Sequence, residues 1–137
     1  MKKLNIALCD DDVKIISQVE DYITKICQNR AVSAEFYRYT DGAALLDNYP
    51  KELDILFLDI ELPFVNGVDA AKEIRKRDSH VIVVFMSSFE KYAIRGYEVG
   101  AWRYLLKPIT WEHFQKELLV PIEKCLSKQE APPLCTK

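Results

Sequence analysis

Side chains able to do chemistry recur at one kind of place in this sequence, directly after an apolar run. Asp10 and Asp11 follow Leu4–Cys9, Asp59 closes Asp54–Asp59, Ser87 follows Val81–Met86 and Lys107 follows Trp102–Leu106. Three carboxylates brought within a few ångströms of one another repel. Either one of them keeps its proton, or the group binds a hard cation through oxygen ligands. Mg²⁺ suits a small site with one or two carboxylates completed by water and phosphate oxygens. The Lys107 ammonium would neutralise further charge, and the Ser87 hydroxyl could donate a hydrogen bond. A phosphoryl group then fits between the metal, Lys107 and Ser87. Asp59 is placed to act as nucleophile and form an aspartyl phosphate. Positioning and charge neutralisation would carry such a transfer.

The elements that must position these groups are legible in the hydrophobic pattern. Leu4–Cys9, Ala34–Tyr39, Asp54–Asp59, Val81–Met86 and Trp102–Leu106 read as strands. After Val13 the period becomes helical, with Ile15, Ile16, Val19, Tyr22, Ile23, Ile26 and Cys27 on one face. Further helices are expected at Gly42–Tyr49 (capped by Asp41 and ended by Pro50), Gly67–Arg77, Phe89–Gly96 and Trp111–Ser127, the last capped by Thr110. Pro121 should kink or split that last helix. Strands alternating with helices predict an α/β fold, a parallel sheet with helices on both faces. Right-handed crossovers favour the flavodoxin-like doubly wound sheet of order 2-1-3-4-5. In that order the first and third strands flank the switch point, and all five polar groups converge on one crevice.

Length and composition agree with one domain. The chain has 137 residues and a net charge of −2, so bulk charge gives no case for nucleic-acid binding by this segment. Cys9, Cys27, Cys125 and Cys135 are too widely spaced for a zinc knuckle or a redox CxxC. Cys9 and Cys27 fall on apolar faces and read as small core residues of a reducing compartment. No secretory leader and no bilayer-length apolar run is visible, so a cytoplasmic location is the default expectation. Residues 1–128 are expected to form the domain. Residues 129–137, with Ala131-Pro132-Pro133, read as a linker or frayed tail.

Each polar residue alone also has a plainer reading. Asp10–Asp12 could simply cap a helix, Asp59 could be a turn residue before Leu62-Pro63, and Lys107 could be a solvated lysine. Tyr104, Trp102 and Trp111 read as packing residues, and His80 and His113 as surface residues. The joint placement at independent strand ends argues against coincidence.

As a set, Cys9-Asp10-Asp11-Asp12, Leu58-Asp59-Ile60-Glu61-Leu62-Pro63, Gly67, Met86-Ser87-Ser88 and Tyr104-Leu105-Leu106-Lys107-Pro108 resemble the receiver domain of two-component response regulators, over roughly Lys3 to Ser127. The resemblance implies that Asp59 is the phospho-acceptor for a sensor histidine kinase. It implies an Mg²⁺ site made by Asp10, Asp11, Asp59 and the Glu61 backbone carbonyl, with Asp11 the direct ligand of the acidic pair. Ser87 matches the switch hydroxyl, Lys107 the phosphate-contacting lysine and Tyr104 the aromatic that changes rotamer on activation. The Lys107-Pro108 bond matches a cis peptide, and Asp12 is left to cap the helix. Ser87 stands where many relatives carry Thr, which keeps the hydrogen bond and loses a methyl contact.

The run Glu90–Ala101, followed by Tyr104–Ile109, is similar to receivers of the LytTR class. These usually precede a DNA-binding domain, so the sequence is expected to be a fragment whose output domain lies outside it. Homodimerisation on activation is expected through the fourth helix, fifth strand and fifth helix. Two other readings are a stand-alone receiver or pseudo-receiver serving as a binding module, and a phosphohydrolase of the haloacid-dehalogenase kind. The dehalogenase motif normally follows the first strand, whereas Asp59-Ile60-Glu61 follows the third. The chain is expected to take its own phosphoryl group and lose it to water, without being a turnover enzyme.

Overall fold

Side chains along the inner strands alternate between two apolar layers, and that alternation organises the molecule. The computed structural model describes residues 2–90, 100 and 103–130, leaving aside the side chains of 129 and 130. In chain order the elements are β1 (Lys2–Cys9), α1 (Val13–Gln28), β2 (Val32–Tyr39), α2 (Gly42–Asp47), β3 (Ile55–Asp59), α3 (Gly67–Arg77), β4 (Ile82–Ser87), β5 (Arg103–Leu106) and α4 (Trp111–Glu130). The strands form one sheet of order β2-β1-β3-β4-β5, and every pairing is parallel. This is the doubly wound α/β architecture that the strand-helix alternation predicts.

One layer packs Leu4, Ile6 and Leu8 of β1, Phe57 of β3 and Val84 and Met86 of β4 against α1 and α4. The other packs Ala7 and Cys9, Leu56 and Leu58, and Val83 and Phe85 against α2 and α3. β3 and β4 are buried along their whole length, as central parallel strands covered on both faces must be. Phe57 stacks on Phe114 of α4, with ring centroids 5.9 Å apart, which fixes α4 over the sheet centre.

The predicted caps form. The Asp12 carboxylate accepts from the Lys14 amide at 3.0 Å, Asp41 from Ala44 at 2.8 Å, and the Thr110 hydroxyl from His113 at 3.2 Å. Cys9, Cys27 and Cys125 are buried free thiols. Trp111 packs against Tyr22, with centroids 5.3 Å apart, while His80 is exposed and His113 partly so.

Of the two outcomes expected at Pro121, the split does not occur, because α4 runs without a break from Trp111 to Glu130. A proline has no N–H to give to the carbonyl four residues earlier, here that of Glu117. The Arg103 guanidinium supplies the missing donor, with Nε 3.1 Å from the Glu117 carbonyl oxygen and 3.3 Å from its Oε1. α2 ends at Asp47, ahead of Pro50. The predicted helix Phe89–Gly96 lies outside the described residues except at Phe89 and Glu90, as do Trp102 and the tail 131–137. Among the described residues, no helix is long and apolar enough to cross a membrane.

Candidate functional site

Register brings the polar groups together. β1 and β3 pair with Cys9 opposite Leu58, so the next residues, Asp10 and Asp59, emerge side by side. β4 lies against the other edge of β3, with Asp59 opposite Met86, and ends at Ser87. β5 pairs Leu106 with Ser87, and Lys107 follows, its amide donating to the Ser87 carbonyl at 2.7 Å. The Lys107-Pro108 peptide is cis. Tyr22 of α1 donates to the Ile109 carbonyl at 2.9 Å and ties down the chain after Lys107.

Asp10, Asp59 and Ser87 are the buried polar residues among those described, and Asp11 is exposed at the rim. One oxygen from each of Asp10, Asp11 and Asp59 lies within 4.8 Å of the others. Lys107 Nζ sits 2.9 Å from Asp10 Oδ2 and 3.5 Å from Asp59 Oδ2. The other oxygens of the two aspartates accept backbone amides, Asp10 Oδ1 from Asp12 at 2.9 Å and Asp59 Oδ1 from Glu61 at 3.0 Å. Each buried carboxylate is thus oriented by its own following turn, with its second oxygen turned toward the lysine.

The electrostatics follow from burial. Burial, and then the charge of Asp10, push the Asp59 carboxyl up to about 6. Burial also raises Asp10, against the Asp12 amide and Lys107, which favour its ionised form. For Lys107, burial acts to lower the pKa, but the two aspartates outweigh it and hold the ammonium above the ordinary lysine range. One ammonium therefore does not fully compensate two buried carboxylates. Asp10 Oδ2 is buried and has the lysine as an ion-pair neighbour without a well-aligned hydrogen bond. An all-oxygen cluster with excess negative charge and such an atom fits a hard divalent cation.

Gly67 closes the loop after β3. Its amide donates to the Ile60 carbonyl at 2.8 Å, and a Cβ there would lie 2.2 Å from the Asp59 carbonyl oxygen. The sequence requirement for glycine is this close approach of α3 to the backbone of Asp59.

Sequence reasoning missed the side chain of Glu61, having considered only its carbonyl. Glu61 Oε1 accepts the Ser87 hydroxyl at 2.8 Å and the Ser88 amide at 3.2 Å. Ser87 Oγ in turn accepts the Phe89 amide at 3.0 Å. The missed contact joins residues that are distant in sequence and adjacent only through the β3–β4 pairing. Tyr104 packs beside the second apolar layer, and its hydroxyl donates to the Phe89 carbonyl. Asp12 stands apart from the acidic cluster in function, as the cap of α1.

The family of response regulator receiver domains matches residues 6–119. The chain belongs to that family. Among its relatives, this receiver is similar to the sensory transduction protein LytT of Oceanobacillus iheyensis, 37% identical over 93 residues, covering 66% of this chain and 37% of that protein. It is also similar to the transcriptional regulatory protein RprY of Bacteroides fragilis, 28% identical over 130 residues, covering 93% of this chain and 51% of that protein. The receiver thus spans about a third to a half of the length of these curated relatives. The LytT likeness agrees with the LytTR-class resemblance.

Solved structures share the receiver's fold. The BeF3-activated DrrB receiver domain superposes with a TM-score of 0.75 at 21% identity, covering 90% of this chain and 99% of that one. The receiver domain of AraT from Geobacillus stearothermophilus gives 0.73 at 21% identity, covering 92% and 98%.

Proposed function

We propose that this receiver is a phosphorylation switch in which Asp59 accepts a phosphoryl group from a histidine kinase. The observation that carries the reading is the meeting of Asp10, Asp11 and Asp59 within 4.8 Å, with the Lys107 ammonium against two of them. Asp10, Asp11, Asp59 and the Glu61 backbone carbonyl would hold Mg²⁺. When bound, Mg²⁺ neutralises charge on the phosphoryl oxygens and admits an anionic donor to an acidic site.

An oxygen of Asp59 attacks phosphorus. The P–N bond of the phosphohistidine breaks, and its electron pair stays on the imidazole nitrogen, which takes up a proton. Asp59 must be ionised to attack, and the Glu61 amide keeps one of its oxygens oriented. Lys107 stands beside the attacking carboxylate and neutralises a phosphoryl oxygen once transfer begins. Ser87 then turns its hydroxyl toward the phosphoryl group, and Tyr104 follows into the vacated space. The new charge thereby biases a bistable element. Homodimerisation follows through the face that includes β5, α4 and the segment between β4 and β5. An output domain of the LytTR type, outside residues 1–137, carries the signal to DNA. Water attack on the aspartyl phosphate resets the switch.

Intact-mass measurement after incubation with Mg²⁺ and acetyl phosphate tests this. Wild type should gain one phosphoryl group, and Asp59→Asn none. Absence of the adduct in wild type, or its persistence in the variant, would overturn the assignment.

A further inference from the structure

The side chain of Glu61 takes no part in the transfer described above, yet it holds the hydroxyl that must move. Both of its hydrogen bonds end on one atom, Oε1, which accepts from Ser87 Oγ and from the Ser88 amide. Ser87 Oγ also accepts from the Phe89 amide, so the hydroxyl is fixed as donor and as acceptor. Glu61 is anchored at its own backbone, because its amide donates to Asp59 Oδ1. A single carboxylate oxygen thus links the turn after Asp59 to the last residue of β4 and the one that follows it. Hydrogen bonds to an ionised acceptor are stronger than neutral ones, so the linkage resists breaking.

Resting on the phosphorylation reading, we propose that the Glu61 side chain is a latch that holds Ser87 in its unphosphorylated position. A phosphoryl group on Asp59 and the Glu61 carboxylate compete for the same Ser87 hydroxyl. The transfer is therefore slowed by the latch, and this chain carries an intrinsic restraint on taking phosphate from indiscriminate donors. Glu61 acts through Ser87 and is a positioning residue.

Side-chain variants leave the backbone carbonyl at this position in place. Glu61→Ala removes both the latch and the charge. Glu61→Gln removes the charge but keeps an amide oxygen able to accept both hydrogen bonds. The test is the initial rate of adduct formation with acetyl phosphate and Mg²⁺, for each variant alone and in a Ser87→Ala background.

With a latch, Glu61→Ala is faster than wild type by about tenfold, the scale set by one hydrogen bond to a charged group. Glu61→Gln, which keeps weaker neutral hydrogen bonds, gains clearly less than Glu61→Ala. In the Ser87→Ala background the Glu61→Ala gain collapses, because there is no hydroxyl left to release. Equal gains for Glu61→Gln and Glu61→Ala would replace the latch with simple charge repulsion, and a gain that survives Ser87→Ala would do the same. An unchanged rate in Glu61→Ala would also overturn it.

Amide hydrogen exchange, which needs no phosphorylation, is the second readout. Exchange at Ser88 and Phe89 should quicken in Glu61→Ala relative to wild type, and unchanged exchange refutes the latch. Absence of any adduct in wild type would instead bring down the phosphorylation reading itself, so the two failures are distinguishable.

Discussion

Asp59 is buried at the end of a fully buried strand, and its ionised form is costly there. An unfolded aspartate titrates near 3.8, and in the fold this one is pushed up to about 6. The native state therefore binds the proton more tightly than the unfolded state does. Stability contributed by the neutral carboxyl is full below about pH 4 and is lost as pH rises through about 6. Replacing Asp59 with Asn removes the charge. Urea unfolding without divalent ions should find Asp59→Asn more stable than wild type at pH 8 by about 1–3 kcal/mol, with the gap closing below about pH 4. A variant that is less stable than wild type at pH 8 would contradict this account of the site. The same titration predicts that adduct formation without saturating metal slows as the pH drops below about 6, since the nucleophile is then protonated.

At the scale of elements, two local arguments have measurable consequences. α3 begins with Gly67 because its backbone crosses directly over that of Asp59. A Cβ at this point meets backbone atoms, which cannot swing aside as a flexible side chain would. Gly67→Ala should cost about 2–4 kcal/mol in chemical denaturation and displace the turn after Asp59. A loss under about 0.5 kcal/mol would show that the loop relaxes freely. α4 stays unsplit across Pro121 because Arg103 of β5 donates to the Glu117 carbonyl that proline leaves without its helical partner. Arg103→Met should therefore destabilise by about 1–2 kcal/mol. In a Pro121→Ala background the returning N–H takes over, and the cost of Arg103→Met should fall by at least about 0.5 kcal/mol in a double-mutant cycle. Additive costs would mean that the guanidinium contact does not compensate for proline.

For the molecule as a whole, the excess negative charge at one end of the sheet would couple stability to a metal held there. Mg²⁺ that binds only the folded chain should raise unfolding free energy by about 2.7 kcal/mol at a hundred times its dissociation constant. Thermal unfolding at neutral pH should therefore show a rising Tm with Mg²⁺ in wild type and a much smaller rise in Asp11→Asn, since Asp11 is the exposed member of the cluster. An equal rise in both would move the metal away from these carboxylates.

Much of this architecture was legible in the order of residues. The apolar runs, the helical stripe of α1 and the caps Asp12, Asp41 and Thr110 are local patterns, and local physics decides them. The alternation of strands and helices restricts the topology because crossovers are right-handed. That in turn sends Asp10, Asp59 and Lys107 to one rim. Two features depended on contacts that no local pattern encodes. Pro121 reads as a kink or a split, and the donor that meets the Glu117 carbonyl it leaves unpaired comes from Arg103 of another element. Glu61 was read only for its backbone carbonyl, and the pairing of β3 with β4 is what carries its side chain to Ser87. Residue types and spacing determined which groups exist and which end of the sheet they reach, because periodicity and chirality act along the chain. Which oxygen faces which donor was decided by tertiary structure, because hydrogen bonds and burial depend on distances across strands.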